Sequence, residues 1–93
     1  KRSTKNSCRQ IIRSATSIGA NIHEAKSAFS KKDFIHCFNI SLKEARETHY
    51  WLTIMQKTKI SPSKNVDLLL KENDEIIRIL FTIVKNTKNN SNL

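Results

Sequence analysis

The chain has 93 residues, a formal net charge of +9, one glycine, one proline and two cysteines. This length fits a single domain with a modest core, and the scarcity of chain-reversing residues argues against a fold of short strands and hairpins. No apolar run approaches the ~20 residues that cross a bilayer, and no apolar signal core follows the basic N-terminus. We therefore expect a soluble protein that is neither secreted nor bound to a membrane.

The positive charge is concentrated in the first third of the sequence. Residues 1–32 contain eight Lys or Arg residues and one acidic residue, whereas residues 33–60 and 61–93 each have a net charge of only +1. A local excess of this kind attracts anionic partners.

The first predicted helix spans residues 5–28 and has two rows of apolar residues with heptad spacing. The rows are Cys8, Ala15, Ile22 and Phe29, and Ile11, Ile18 and Ala25. Heptad spacing predicts an apolar seam that packs along a neighbouring helix. Ala15 and Gly19, four residues apart, predict a close approach of two helix backbones, because a glycine inside a helix otherwise costs about 1 kcal/mol relative to alanine.

The second predicted helix spans residues 31–58, a length of roughly 40 Å at 1.5 Å per residue. Ser30 is expected to cap its N-terminus, and Asp33 can reach back in a variant of the capping box. The predicted apolar seam comprises Phe34, Phe38, Ser41, Leu42, Ala45, Thr48, Leu52 and Met55.

The third predicted helix spans residues 62–87 and starts with Ser61 as the cap and Pro62 in the first turn. Asn73 interrupts its apolar face and is a candidate for a buried polar residue that sets the helix register. Residues 1–88 are expected to form one domain, and the polar residues 89–93 a disordered tail. Helices of similar length with short connections predict an all-α, up-and-down antiparallel bundle. The small-residue flank of the first helix leaves room for another helix.

No arrangement of residues indicates catalysis or a metal site. The pairs Glu44/Glu47 and Glu72/Glu75 lack the histidine of a di-iron motif, and the three histidines are thirteen residues apart. Cys8 and Cys37 are expected to be buried reduced thiols, with a disulfide or a two-ligand metal site as the alternative. We therefore predict a protein without enzymatic activity, cofactor, metal or small-molecule substrate.

Basic side chains are the strongest functional signal. The spacing of Arg2, Lys5, Arg9 and Arg13 places all four on one stripe of the first helix, opposite its apolar seam. This basic stripe and the pair Lys31 and Lys32 are the predicted phosphate contacts for RNA or DNA. The stripe has no interleaved aromatic residues, so stacking on single-stranded bases is not indicated.

Three segments resemble a known family. They are residues 10–26 (QIIRSATSIGANIHEAK), residues 30–36 (SKKDFIH) and residues 41–52 (SLKEARETHYWL). The pattern from Arg13 to Ala25, Arg-Ser-x-Thr-Ser-Ile-Gly-Ala-Asn-Ile-x-Glu-Ala, is distinctive. Together they resemble the four-helix bundle proteins named after 23S ribosomal RNA intervening sequences, over residues 8 to about 85.

The resemblance implies a bacterial, cytoplasmic protein similar to the accessory protein of diversity-generating retroelements, a homopentamer that binds nucleic acid. Members of the family usually have a further helix before the segment that starts here at Gln10. The three predicted helices then correspond to the last three of a four-helix bundle, with one apolar groove left open. Either a helix outside this sequence or a neighbouring subunit is expected to cover that groove.

Two functional hypotheses follow. The first is a homo-oligomer, a pentamer by resemblance, that binds RNA or DNA electrostatically. The alternative is a scaffold bundle whose partner is another polypeptide.

Overall fold

The structure is a computed structural model that describes residues 2–58 and 63–90. It consists of the helices α1 (Arg2–Ala25), α2 (Lys31–Thr58) and α3 (Ser63–Asn89), and these described residues contain no strand. The all-α prediction is confirmed, and the bounds of α2 are those predicted. α1 starts and ends three residues earlier than predicted, and α3 runs from residue 63 to residue 89 rather than from 62 to 87. The predicted start signal at Ser61 and Pro62, and the predicted tail beyond Asn90, lie outside the described residues.

The start of α2 follows from a local cap. The backbone N–H of Asp33 donates to the Ser30 hydroxyl at 3.1 Å, and the N–H of Phe34 donates to the Ser30 carbonyl at 3.0 Å. Ser30 thus satisfies N–H groups that have no partner within the helix, as predicted. The carboxylate of Asp33 stands in the first turn, near the positive end of the helix dipole.

α1 and α2 pack antiparallel through small and hydroxyl-bearing side chains. The hydroxyl oxygens of Ser14 and Thr48 lie 2.7 Å apart, and the Ser41 hydroxyl donates to the Ile18 carbonyl at 2.9 Å. From Ser14 to Ile18 the chain goes forward along α1, and the partners, Thr48 and then Ser41, go backward along α2, so the two helices are antiparallel. Ser14, Ser41 and Ala45 are fully buried. Because these side chains are small, the two backbones can approach closely.

α2 and α3 also run antiparallel, and polar contacts mark the edge of their interface. The imidazole of His49 lies 3.2 Å from the carboxylate of Asp74, and the Gln56 amide donates to the Asp67 carboxylate at 2.6 Å. At the centre of the interface, Asn73 is buried and its side-chain amide donates to the Ala45 carbonyl at 2.9 Å. The prediction that Asn73 is a buried polar residue is therefore confirmed.

The apolar core consists of two clusters that meet on α2. The larger contains Ile18, Ala25, Phe38, Leu42, Ala45, Leu80 and Val84, and the smaller contains Leu52, Met55, Val66 and Leu70. All three helices contribute to the larger cluster, so the core joins α1 and α3 through the helix between them.

The three helices occupy three corners of a four-helix arrangement. Thr48 contacts α1, and the next residue, His49, contacts α3. Because successive residues of a helix are rotated by about 100°, α1 and α3 lie about 100° apart around the axis of α2. In the described residues, no Cα atom of α1 lies within 8 Å of a Cα atom of α3. An open apolar trough therefore separates α1 from α3. The predicted antiparallel bundle of three helices with one open groove is the geometry observed, and a fourth helix in that groove stays a prediction.

Three of the four members of one predicted apolar row of α1 lie outside the helix interfaces, and the fourth, Ile22, is half-buried and packs against the larger cluster. Cys8 and Ala15 are exposed, and Phe29, which lies beyond the end of α1, is fully exposed. The buried row instead contains Ser7 and Ser14. The prediction was wrong for Cys8, Ala15 and Phe29 because it considered apolar residues alone, whereas the Ser14 hydroxyl has a partner, Thr48, inside the α1–α2 interface.

Two further predictions for α1 are corrected. The close helix approach predicted at Gly19 is absent among the described residues, since a Cβ atom added there would have no other atom within 4 Å. Cys8 was predicted to be buried but is exposed, and Cys37 is half-buried. Both thiols are free, and the structure has no disulfide between them.

Candidate nucleic-acid interface

The basic stripe, Arg2, Lys5, Arg9 and Arg13, lies on one continuous helix, because α1 begins at Arg2 and not at residue 5 as predicted. The side chains of Lys5 and Arg9 are exposed and have no ion pair with another described residue. They are therefore available to an anionic ligand. The side chain of Arg2 lies outside the part of the chain that the structure describes.

Arg13 is the member of the stripe that already has partners within the protein. Its guanidinium forms ion pairs with two carboxylates of α2, with Glu44 at 3.3 Å and with Glu47. The hydrogen bond that Arg13 donates to the Glu47 carboxylate raises the pKa of Arg13 and lowers the pKa of the Glu47 carboxyl. A side chain with two carboxylate partners fastens α1 to α2, and a phosphate would have to compete with both.

Lys31 and Lys32 do not join the basic stripe. They stand at the start of α2, beside the end of α1, and the helix rise places them roughly 20 Å or more from Arg9 along the bundle. The Lys31 ammonium donates to the Asn90 carbonyl at 2.7 Å and so links the start of α2 to the end of α3. Lys32 is exposed. The six predicted phosphate contacts therefore form two separate groups rather than one surface.

A second basic surface was missed by the sequence analysis. The outer stripe of α2 consists of four basic residues and one tyrosine, all exposed: Lys32, Lys43, Arg46, Tyr50 and Lys57. Summing charges along the chain concealed this stripe, because residues 33–60 have a net charge of only +1. The signal that could have revealed it is the spacing of these residues, which places them on one side of the helix.

The trough between α1 and α3 is an apolar surface close to the basic stripe. Cys8 and Ile12 line it from α1, Leu69 lines it from α3, and Leu52 and Met55 form its floor. Ile12 is 67% exposed and Leu69 48% exposed. Apolar side chains that are exposed together in this way are typical of surfaces that contact another polypeptide.

The histidines and acidic residues do not converge. His49 contacts Asp74, but in the described ranges no three His, Cys, Asp or Glu side chains are grouped so that they could hold a metal ion. None of the described helices is long and apolar enough to cross a membrane.

Comparison with known proteins assigns the family. The family model described as 23S rRNA-intervening sequence protein matches residues 1–82. A solved structure from Bacteroides thetaiotaomicron, described as a protein of unknown function from the S23 ribosomal protein family, is 44% identical and superposes with a TM-score of 0.82. The match covers 85% of this chain and 73% of that one. The comparison with curated proteins found no match. The chain belongs to the 23S rRNA-intervening sequence protein family.

Proposed function

We propose that this chain is a cytoplasmic, non-enzymatic, homo-oligomeric protein that binds RNA or DNA through exposed basic side chains. The observation that carries the proposal is the unpaired positive charge. The chain has 17 Lys and Arg residues against eight acidic residues, and Arg13 is the one Lys or Arg that forms an ion pair within the described residues. Exposed cations of the described residues without an ion pair, such as Lys5 and Arg9, are available for phosphates, whose binding is driven by release of counterions.

On α1, Lys5 and Arg9 are the phosphate contacts that we propose, with Arg2 as a further member of the basic stripe. Arg13 contributes in a different way, because its ion pairs with Glu44 and Glu47 hold the stripe against α2. Lys31 and Lys32 form a separate contact at the opposite end of α1.

The test is the affinity for an RNA hairpin and for duplex DNA as a function of salt concentration. For a duplex, the logarithm of the affinity should fall with the logarithm of the salt concentration by about 0.9 for each phosphate contact. Arg9→Glu should weaken binding and reduce this slope, whereas Lys26→Glu, a charge change of the same size outside the stripe, should have a smaller effect. A flat salt response, or equal losses in the two variants, would contradict the proposed contacts.

Reversal of Arg13 is not a clean test of phosphate binding. It would place a third carboxylate beside Glu44 and Glu47 and would destabilise the α1–α2 interface. Arg9 has no such intramolecular partner among the described residues, so its reversal reports on binding.

The trough supports the homo-oligomeric part of the proposal. Leu69, Ile76 and Ile83 are spaced by seven residues and share one flank of α3. Leu69 is 48% exposed and Ile76 38% exposed, so this flank has apolar area left to bury. We propose that a second copy of the chain covers it, in an assembly for which the family resemblance implies five subunits.

Light scattering with matched variants tests the assembly. Leu69→Glu places a charge in the trough, whereas Phe81→Glu alters a residue of similar exposure (51%) on the other flank of α3. Phe81 follows Asp74 by seven residues and therefore lies on the side of α3 that contacts α2. The first variant should dissociate the oligomer and the second should not. A monomeric wild-type protein would refute the oligomer but not nucleic-acid binding.

The same trough favours the second candidate function, a scaffold that binds another polypeptide. A complex with one cellular protein that survives nuclease treatment and is lost in Leu69→Glu would support this alternative. Binding of nucleic acid that is unchanged in Leu69→Glu would favour the first.

A further inference from the structure

We propose that the outer stripe of α2 binds single-stranded nucleic acid, with Tyr50 as the ring on which a base stacks. The inference rests on the proposed function in that it assumes a nucleic-acid ligand. It assigns a different surface from the basic stripe of α1, and it specifies the form of the ligand.

The residues of the outer stripe lie on one side of α2. Lys32, Lys43, Arg46, Tyr50 and Lys57 fall within about 60° of the helix circumference, and the stripe is roughly 38 Å long. It is turned away from α1, which α2 contacts through Thr48, and from the trough. The stripe is thus a straight track on the outside of the bundle.

Most of the charge of the outer stripe is not neutralised within the protein; the exception is Lys43, which, after the hydrogen bonds that Arg13 and Trp51 donate, also lowers the pKa of the Glu47 carboxyl. Glu44 and Glu47, the nearest acids in the sequence of α2, point toward α1 and pair with Arg13. In the described part of the chain, none of the four basic residues of the stripe forms an ion pair or a side-chain hydrogen bond. The fold therefore separates the acidic and basic residues of α2 onto different sides, which a sum along the chain cannot reveal.

α3 places charges of both signs beside the outer stripe, two cations together with Asp67, Asp74 and Glu75. Lys71 and Arg78 follow Asp67 and Asp74 by four residues each, so they lie about 40° further around α3 on the flank away from the trough. The two aspartates contact α2 through Gln56 and His49. The two aspartates thus lie at the edge of the α2–α3 interface, and Lys71 and Arg78 face outward beside the outer stripe.

Tyr50 supplies what the basic stripe of α1 lacks, an exposed aromatic ring among the cations. It is 57% exposed. Its ring centroid lies 5.1 Å from that of Trp51 at an interplanar angle of 77°. The indole N–H of Trp51 donates to the Glu47 carboxylate at 3.3 Å, and Glu47 pairs with Arg13. Tyr50 is therefore supported by an anchored neighbour, which lowers the entropy lost when a base stacks on it.

The combination of a basic track and an exposed ring selects a single strand over a duplex. In a duplex the faces of the bases are covered by their neighbours, whereas in a single strand each base offers a face to an aromatic side chain. The phosphates of either form can reach the lysines and arginines. Tyr50 should therefore contribute to the affinity for a single strand and not to the affinity for a duplex.

The test compares a single-stranded DNA of about 15 nucleotides with a duplex of the same sequence, by fluorescence anisotropy. Tyr50→Ala should weaken single-strand binding on the order of tenfold, whereas Tyr50→Phe, which keeps the ring, should bind like the wild type. Duplex affinity should stay within about twofold in both variants. Circular dichroism checks that both variants remain folded.

The charges of the stripe are tested by removing one at a time. Lys43→Gln should reduce the slope of the single-strand salt dependence by about 0.7, the value for one phosphate contact. Lys26→Gln is the matched control outside the stripe and should leave this slope unchanged. As a second readout, the fluorescence of Trp51, the only tryptophan in the chain, should change when a single strand binds.

The outcomes separate this inference from the proposed function. If the wild type binds no RNA and neither single-stranded nor duplex DNA, the proposed function and the inference both fail. The inference alone fails if the wild type binds nucleic acid but Tyr50→Ala weakens the affinities for single strand and duplex equally. It also fails if Tyr50→Ala changes neither affinity. Competition by polyglutamate as strong as by the oligonucleotide would also overturn it, because an acidic peptide would then be the ligand of this surface.

Discussion

Substitutions of Asn73 test two properties separately: the stability of the bundle and the register of α3 along α2. The side-chain amide is 5% exposed and donates to the Ala45 carbonyl at 2.9 Å. That carbonyl lies inside α2 and keeps its own helical hydrogen bond when the amide is removed. Replacement of Asn73 therefore leaves no buried acceptor without a partner, and the cost of the substitution reduces to one hydrogen bond plus the change in packing.

The expected magnitudes differ between two substitutions. Asn73→Ala loses a neutral hydrogen bond of about 1 kcal/mol and some packing, partly offset by the better helix propensity of alanine, so we expect a net loss of about 1 kcal/mol. For a domain of this size that loss lowers the Tm by roughly 4–8 °C. Asn73→Leu loses the same bond but buries apolar surface that contributes about 1.5–3 kcal/mol, so its stability should equal or exceed that of the wild type.

Urea denaturation followed by circular dichroism, at one protein concentration for all variants, measures both effects. If Asn73 sets the position of α3 along α2, Asn73→Leu should also lower the m-value and broaden the NMR signals of α3, because the helix can then occupy more than one register. Equal stability of Asn73→Ala and the wild type would refute the importance of the hydrogen bond. A loss in Asn73→Leu as large as in Asn73→Ala would refute the reasoning from burial.

Three further predictions follow from single contacts. Arg13 lowers the pKa of the Glu47 carboxyl, so their contact should stabilise the protein above pH 4.5, the ordinary pKa, and lose its effect as the pH falls through the lowered value. NMR titration of Glu47 should show this pKa returning toward its ordinary value in Arg13→Gln. Leu80→Ala, at a site 2% exposed, should cost about 2–5 kcal/mol by urea denaturation, whereas Ile79→Ala, at a site 58% exposed, should change stability by under about 0.5 kcal/mol. Ser30→Ala should cost about 1 kcal/mol in thermal unfolding, and Ser30→Asp should retain most of that stability.

Each of these predictions has an outcome that would contradict it. An unchanged titration of Glu47 in Arg13→Gln would show that the ion pair does not form in solution. Equal losses in Leu80→Ala and Ile79→Ala would place the core elsewhere on α3. A Ser30→Asp variant as unstable as Ser30→Ala would show that the hydroxyl does not act as a cap.

The elements of the fold were predictable because their signals are local. The cap at Ser30 fixed the start of α2, and the apolar seam from Phe38 to Met55 was assigned to the correct face of the helix. The end of α1 was predicted three residues too late, since Ala28 and Phe29 continue the apolar spacing. The backbone nevertheless turns after Ala25, where the N–H of Lys26 bonds to the His23 carbonyl at 3.1 Å.

The candidate interface was less predictable because it depends on pairs of helices. The charge of Arg13 could be read from the sequence, but its ion pairs with Glu44 and Glu47 require α1 and α2 to be side by side in one register. Those pairs remove an arginine from the predicted surface. They also turn two carboxylates away from the side of α2 that contains Tyr50.

The corner position of α2 determines how the bundle comes apart. Since no Cα atom of α1 lies within 8 Å of one of α3 in the described residues, either outer helix can detach while the other stays packed on α2. The amides of α2 become fully accessible only when both neighbours have left. Native-state hydrogen exchange should therefore be slowest at the centre of α2, and α1 and α3 should open as two separate units with lower free energies.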